Sequence, residues 1–554
     1  MSALVTAFVA SFAGGCAEAP LPAPTPPSPL AAPPVRTPDW AMPAPTAEPH
    51  VLEIRIAPVL DRVDRVDRAP GSGSGAVREL DHLDVSLRFS EPPGEFGDPG
   101  PLVLTMPERD EGEPGWPEAV EDVYARDAEG ALLLRTRSVA SGEDAHVEWR
   151  SDRRPVGAVN IGYRVRLIRG DGKRYLGTRA QAGGFQGTGA TFLLLPETAD
   201  LHRARIAWDL GGAGDGARAV SSFGDGAAEA PVSVDRLRAA IFMAGPLGRV
   251  SIDDGAIRFE AAWLGRTAFD PIEAIPWVAR VWARGRALFH DVDAAPFTFF
   301  VRAVPGLGPA WVGTERPAGL LLLVGEGLGF TRAARFAVTY ELVHHWIGGA
   351  ERGLRFDGPP GAARWLTEGF SVHFTRELLL RAGLATPEEA ADDLRARLER
   401  HAASALRDLS NDALVKPLRE GPEAEHLPHD RGMIYAAQVD AEVRARSGGK
   451  RSLDDLVLAL LDKARAGEGG SGGPGAVRLP AGAWRELVGA ELGPDAQARF
   501  DAEIVRGEPF TPPADAFGPC FKPEKKALPP PRGGTVTLWV RDAKAPASCA
   551  RRGS

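Results

Sequence analysis

The sequence predicts a multidomain α+β protein with an antiparallel β-sandwich first, a two-lobed α/β unit next and a helical bundle last. Three observations carry this. Apolar residues alternate at period two from Val51 to about Leu210, strand and helix patterns mix from Val232 onward, and helical spacing dominates after Thr386. At 554 residues the chain is long enough for three or four separate cores.

Taken in order, Ala3 to Gly15 is an apolar run of 13 residues, too short for a stable bilayer-spanning helix. It ends in Ala13-Gly14-Gly15-Cys16, small residues directly before a cysteine, although no basic residues precede it. That arrangement resembles the lipobox of a bacterial lipoprotein. The resemblance implies cleavage before Cys16, lipidation of Cys16 and a periplasmic, membrane-anchored protein, with the outer membrane the expected site. Residues 1–16 are therefore read as a lipoprotein-type signal, and the Pro-rich residues 17–49 as an extended tether.

The sandwich is assigned to residues 50–231. Leu83-Asp84-Val85-Ser86-Leu87-Arg88-Phe89 alternates cleanly, as does Val159 to Leu167. Further strands are expected at Ala131–Arg137, His146–Arg150, Thr191–Leu195 and Ala204–Leu210, separated by Gly/Pro/Asp clusters such as Gly71 to Gly75. Residues 232–385 form the mixed unit, with a helix from Ile272 to His290 and strands at Pro296–Val304 and Leu320–Val324. Residues 386–518 read as helical. Thr386-Pro387-Glu388-Glu389 is a capping box opening a helix to about Asp408, and amphipathic helices follow at Asp430–Arg446 and Ser452–Ala464. Shorter helices are expected at about Ala481–Leu492 and Pro494–Val505, after a glycine-rich loop from Gly467 to Gly475. Residues 519–554 are a tail holding Cys520 and Cys549, which either close a loop as a disulfide or stand as two free thiols.

Composition narrows the chemistry. There are 65 basic against 74 acidic residues and no basic block, so nucleic acid is not an expected partner. With three cysteines and no C-x-x-C pair, a thiolate zinc site is excluded.

The most informative stretch runs from Phe336 to Leu384. Phe336, Tyr340, Val343 and His344 recur on neighbouring turns of a helix whose inner face is not purely apolar. Zinc peptidases use HExxH on such a helix: two His one turn apart hold the metal, and the Glu activates its water. Here the pattern reads Tyr340-Glu341-Leu342-Val343-His344, with Tyr in the first ligand position. Glu368 follows 24 positions after His344, the placement of the distal Glu ligand in the gluzincin class. A Glu-x-x-His pair alone is more commonly an exposed pair or a satisfied buried histidine; the neighbouring sequence shifts the balance.

Trp365-Leu366-Thr367-Glu368-Gly369-Phe370-Ser371-Val372-His373-Phe374, Leu378 to Leu384, and Gly448-Gly449-Lys450-Arg451-Ser452-Leu453-Asp454-Asp455-Leu456 resemble the glycyl aminopeptidase family of thermolysin-like zinc peptidases. The likeness extends more weakly from about residue 50 to about residue 518. It implies a thermolysin-like peptidase domain behind the β-sandwich, zinc as cofactor and peptides as substrate or ligand. It assigns metal ligands to His344, Glu368 and the Tyr340 position, and the base to Glu341. Glu315, within Val312-Gly313-Thr314-Glu315-Arg316, takes the place of a Glu that faces the substrate's amine, although Thr314 and Arg316 differ from the family's flanking residues. His429, within Pro428-His429-Asp430-Arg431-Gly432, stands where the wider clan carries a Tyr that steadies the oxyanion. A PDZ domain, common at the family's C-terminus, is not expected in the roughly 35 residues after Gly518.

Two functional positions thus differ from the family, Tyr340 and His429. A phenolate ligand must overcome a pKa near 10, and a shifted site on Glu341 and His345 would sacrifice the base. The sequence is read as a peptidase-family envelope protein with an incomplete zinc site, weakly or non-catalytic, whose cleft still takes peptides. The alternative is an active metallo-aminopeptidase with an unusual ligand set.

Overall fold

The structure, a computed structural model, describes residues 6–9, 50–61, 79–91, 100–110, 113–114, 116–139, 145–169, 177–198, 202–253, 258–292, 297–308, 310–325, 327–349, 353–359, 361–414, 422–467, 478–527 and 534–550. Cys16, the Pro-rich segment and Gly71 to Gly75 lie outside the described residues, as do residues 468–475 of the glycine-rich loop. Among the described residues no helix is long and apolar enough to cross a membrane.

Two sheets face each other in the N-terminal part. One has seven strands, in the order Ala228–Val232, His202–Trp208, His50–Leu60, Leu80–Phe89, Val159–Arg166, Val120–Asp127 and Gly130–Leu132. The other has four, Leu195–Pro196, Val103–Pro107, His146–Ser151 and Leu134–Val139. Leu52, Ile54, Val85 and Leu87 of the first share one core with Leu104, Met106 and Trp149 of the second, so the period-two pattern is burial on one face. Two expectations are corrected. The sandwich is not antiparallel throughout, because His202–Trp208 runs parallel to His50–Leu60. The chain reaches that strand through a third sheet rather than a hairpin, and a return of that kind places neighbours in the same direction. Nor is Thr191–Leu195 a strand. Gly189–Thr191 is a 3-10 turn and only Leu195–Pro196 pairs, the residues between being buried on all sides, where alternation carries no signal. That third sheet has six strands and includes Ile241–Gly245, so it continues past residue 232.

The next sheet is built from β1 (Thr6–Val9), β2 (Gly248–Asp253), β3 (Arg258–Leu264), β4 (Phe297–Val304), β5 (Ala310–Arg316) and β6 (Gly319–Gly325), in the order β1-β5-β6-β4-β3-β2. β3, β4 and β6 are parallel neighbours, whereas β5 runs antiparallel to both β6 and β1. Helices α1 (Pro271–Leu288), α2 (Arg332–Val343) and α3 (Arg364–Arg381) pack beside it, followed by α4 (Pro387–Ala403), α5 (Pro422–Ser447) and α6 (Leu453–Gly467). The predicted capping box closes in both directions at Thr386 and Glu389. α5 is longer than the expected helix from Asp430 and carries Pro428 within it.

The expected tail is folded. Phe521–Ala527 and Thr535–Arg541 form a hairpin, Cys520 and Cys549 are joined as a disulfide, and Phe517, Leu538 and Trp539 pack into one core with Leu394 and Tyr340.

Two outcomes follow from the packing. Helices α3 and α5 cross backbone to backbone: a methyl group on Gly369 would run into Gly432 Cα, and one on Gly432 into the Trp365 carbonyl. Overpacking of this kind costs roughly 1–3 kcal/mol or more, so Gly369→Ala and Gly432→Ala should each lower the denaturant midpoint by at least that equivalent. Cys520→Ser should cost about 3–4 kcal/mol of unfolding free energy from loop entropy over the 29-residue separation. A midpoint unchanged on reduction would contradict a structural role for the hairpin.

Candidate active site

The centre forms where the end of α2 meets the α3–α5 crossing. Thr331 caps the start of α2, its hydroxyl accepting from the Ala334 N–H. The helix ends at Val343, with His344 as its C-cap rather than inside it as the spacing suggested. The last turn tightens, His345 N–H bonding to the Leu342 carbonyl (3.1 Å) and Trp346 N–H to that of Val343 (3.0 Å). Trp346 is fixed beneath this turn in an aromatic stack, 5.0 Å from the Trp282 ring and 4.9 Å from Phe289. From the other side the glycine contact sets the register of α3 against α5, which puts Glu368, next to Gly369, opposite His429, three residues before Gly432.

All five groups singled out around the zinc-peptidase pattern are brought together, and four meet at one atom. Glu368 Oε2 accepts the Tyr340 O–H and lies 3.4 Å from His344 Nε2 and 3.4 Å from His429 Nε2. Its other oxygen is 3.7 Å from Arg364 Nε, an i,i+4 partner on α3 that the sequence displayed and that was not singled out. His344 Nδ1 is 3.0 Å from the Ile347 carbonyl, and His429 Nδ1 is 2.9 Å from the Glu425 carbonyl. A carbonyl only accepts, so both Nδ1 atoms carry hydrogen and both rings turn Nε2 toward Glu368. The Tyr340 ring stands edge-on to His344 at 4.6 Å. Glu341 is buried on the same side, against β5, where a methyl on Gly313 would overlap its carboxyl group.

Glu315 belongs to a second cluster. Its Oε1 is 3.3 Å from His345 Nδ1, and His345 Nε2 is 3.8 Å from Asp291 Oδ2, which accepts the Trp346 indole N–H at 3.1 Å. Glu315 and Glu341 meet in the same layer, since Gly313 and Glu315 are two apart on one strand face, Glu341 packs against Gly313, and His345, just beyond the end of α2, packs against Glu315. Asp291 had no sequence signal, because it follows α1 in a turn with no periodic pattern.

The electrostatics are those of an ionic knot centred on Glu368. Burial disfavours the His344 imidazolium, but the Glu368 carboxylate and the charge of Glu341 outweigh it and hold the pKa up at about 9. Burial likewise works against ionised Glu368, yet His344, then His429 and Arg364, hold it well below the usual carboxylate range. Burial pushes His429 down to about 3 against the opposing pull of Glu368, so its ring is neutral. Burial, then the charges of Glu368 and Glu341, push the Tyr340 phenol well above its ordinary value.

These observations test the zinc ligand set that the resemblance implies. Tyr340 is a poor member of it: its phenol keeps its proton and spends it on Glu368, whereas a metal ligand would have to be phenolate. Among the described residues no three His, Cys, Asp or Glu side chains are disposed to hold a metal ion as they stand. Glu368 Oε2 itself sits at the point on which Tyr340, His344 and His429 converge.

No family model matches the sequence, and no curated protein matches it. Solved structures do resemble it. An aminopeptidase N family protein from Idiomarina loihiensis superposes with a TM-score of 0.65 at 14% identity, over 86% of this chain and 80% of that one. An M1 zinc metallopeptidase from Deinococcus radiodurans bound to Tyr-Ser-Ala gives 0.48 at 17% identity, over 84% and 95%. Yeast LTA4 hydrolase gives 0.46 at 12%, over 86% and 71%. At such identities the first of these establishes one thing: this chain has the multidomain α/β fold of an aminopeptidase N family protein.

Proposed function

We propose that this chain is a metal-dependent hydrolase acting at the amino end of peptides, held in the bacterial cell envelope by a lipid on Cys16, a maturation that would remove the edge strand β1 from the α/β sheet, with a centre that departs from that of the resembled family. One observation carries the hydrolase reading. Glu341, His429 and Tyr340 are buried, with His344 and Glu368 half-buried beside them, and His429 Nε2 makes no hydrogen bond. An unsatisfied buried polar atom costs roughly 1–3 kcal/mol, and apolar replacements would remove that cost in a fold with no chemistry to perform. Fold likeness to an aminopeptidase N family protein supports peptides as the substrate class.

Each side chain then has a task. Glu341 removes the proton from the attacking water and returns it to the departing amine. Tyr340, kept protonated by its surroundings, offers an O–H toward developing negative charge. Glu315, aligned by His345, supplies negative charge on the β5 side for a substrate ammonium group. Arg364 and the α3–α5 contact hold Glu368 in place. Zinc, when bound, would make the water a nucleophile at neutral pH and polarise the scissile carbonyl.

A second reading, a non-catalytic peptide-binding protein, is favoured by the Tyr340–Glu368 hydrogen bond, which satisfies the carboxylate with no metal. Aminoacyl substrates separate the two. Turnover by the wild type, lost on chelation and reduced about 100-fold or more in Glu341→Gln, is the expected result. Equal absence of turnover in both, with peptide binding kept in both, would replace the hydrolase with the peptide binder. For localisation, Cys16→Ser should move the protein out of the membrane fraction. A wild-type protein found soluble in the cytoplasm would refute the anchor.

A further inference from the structure

We propose that the chain's own first strand competes with peptides for the cleft: β1 occupies the open edge of β5, and cleavage before Cys16 vacates that edge for an extended peptide. The proposal rests on the reading of this cleft as a peptide site, and adds what keeps the uncleaved chain latent.

The first argument is the edge. β5 has β6 on one side and only β1 on the other. The pairing is antiparallel, Thr6 with Gly313, Ala7 with Val312, Phe8 with Trp311 and Val9 with Ala310. Once β1 is removed, the outward N–H and C=O groups of Ala310 to Gly313 have no strand to pair with. Such a row binds an extended chain through backbone hydrogen bonds, with little demand on that chain's side chains. A strand lies about 4.8 Å from its neighbour and uses the outward groups it covers, so this edge takes one strand at a time.

The second argument is place and direction. Gly313, the partner of Thr6, packs against the Glu341 carboxyl group, and Glu315 lies two residues further along the same strand face. A strand on this edge therefore runs beside both the proposed base and the proposed holder of the substrate's ammonium group. Because the pairing is antiparallel, Thr6 at the amino end of β1 is the member nearest Glu315, and Val9 is the farthest. A peptide that meets Glu315 with its amine and pairs with β5 runs in that same direction. β1 thus takes the same backbone groups in the same sense as a substrate, and the two exclude each other.

The test reads occupancy and binding apart from turnover. The uncleaved full-length chain, expressed in the cytoplasm, is compared with the same chain carrying Ala7→Pro and Phe8→Pro. Of two consecutive strand residues one turns its N–H to the neighbouring strand, so the pair of prolines removes a ladder bond in either register. Hydrogen exchange across residues 310–313 should be slow in the wild type and fast in the double variant. Tetra-alanine, labelled at its carboxyl end and followed by fluorescence anisotropy, should bind the double variant at least about tenfold more tightly. Apparent affinity falls in proportion to the open fraction, and tenfold corresponds to an edge covered about nine-tenths of the time. A synthetic peptide of residues 1–15 should displace the probe from the double variant, which needs no comparison between folds. Equal probe affinity in the two chains, equally fast exchange in both, no probe bound by the double variant, or no displacement by the leader peptide would each overturn the proposal. Tighter binding by the double variant with no hydrolysis would leave it standing and remove the hydrolase. Hydrolysis at one rate by both chains would do the reverse.

Discussion

The centre depends on how closely α3 and α5 approach. Without side chains at Gly369 and Gly432 the two backbones touch, and the glycine pair acts as a register pin. One residue from the pin on α3 is Glu368, and three residues from it on α5 is His429. Any side chain at either glycine would push the helices apart and open the space between carboxylate and imidazole. The aromatic stack under Trp346 performs the same service for α2, whose tightened last turn presents His344 to the same oxygen.

Once those helices are locked, the centre must resolve its own charges away from water. Glu368 is ionised because Tyr340, His344 and Arg364 supply what solvent would have supplied. The arrangement satisfies the Glu368 carboxylate without a metal ion. A network of this kind is costly if any member is left unsatisfied, and His429 Nε2 is the member left over. The hydrogen bond that argues against a working enzyme and the lone pair that argues for one therefore belong to the same knot.

Much of this was legible in the sequence. Alternation located most sandwich strands, the Thr386 capping box placed the start of α4, and the spacing of His344 and Glu368 placed both on one site. What the sequence concealed were relations between elements. Periodicity tells which face of α5 is buried but not which residue of α3 it meets, so His429 could be placed near the site only by resemblance, with no partner named. The same gap concealed the pairing of Glu315 with His345 and the parallel pairing of the returning strand His202–Trp208. Where side chains are buried on every side, as at Phe192 to Leu194, no alternation remains to be read.

The central claim is that the cluster around Glu368 works as a metal-dependent centre. Anomalous diffraction at the zinc edge, from crystals of the full chain grown with zinc, tests it most directly. The account predicts one peak within bonding distance of His344 Nε2 and a Glu368 oxygen. No peak in the centre at all would contradict it.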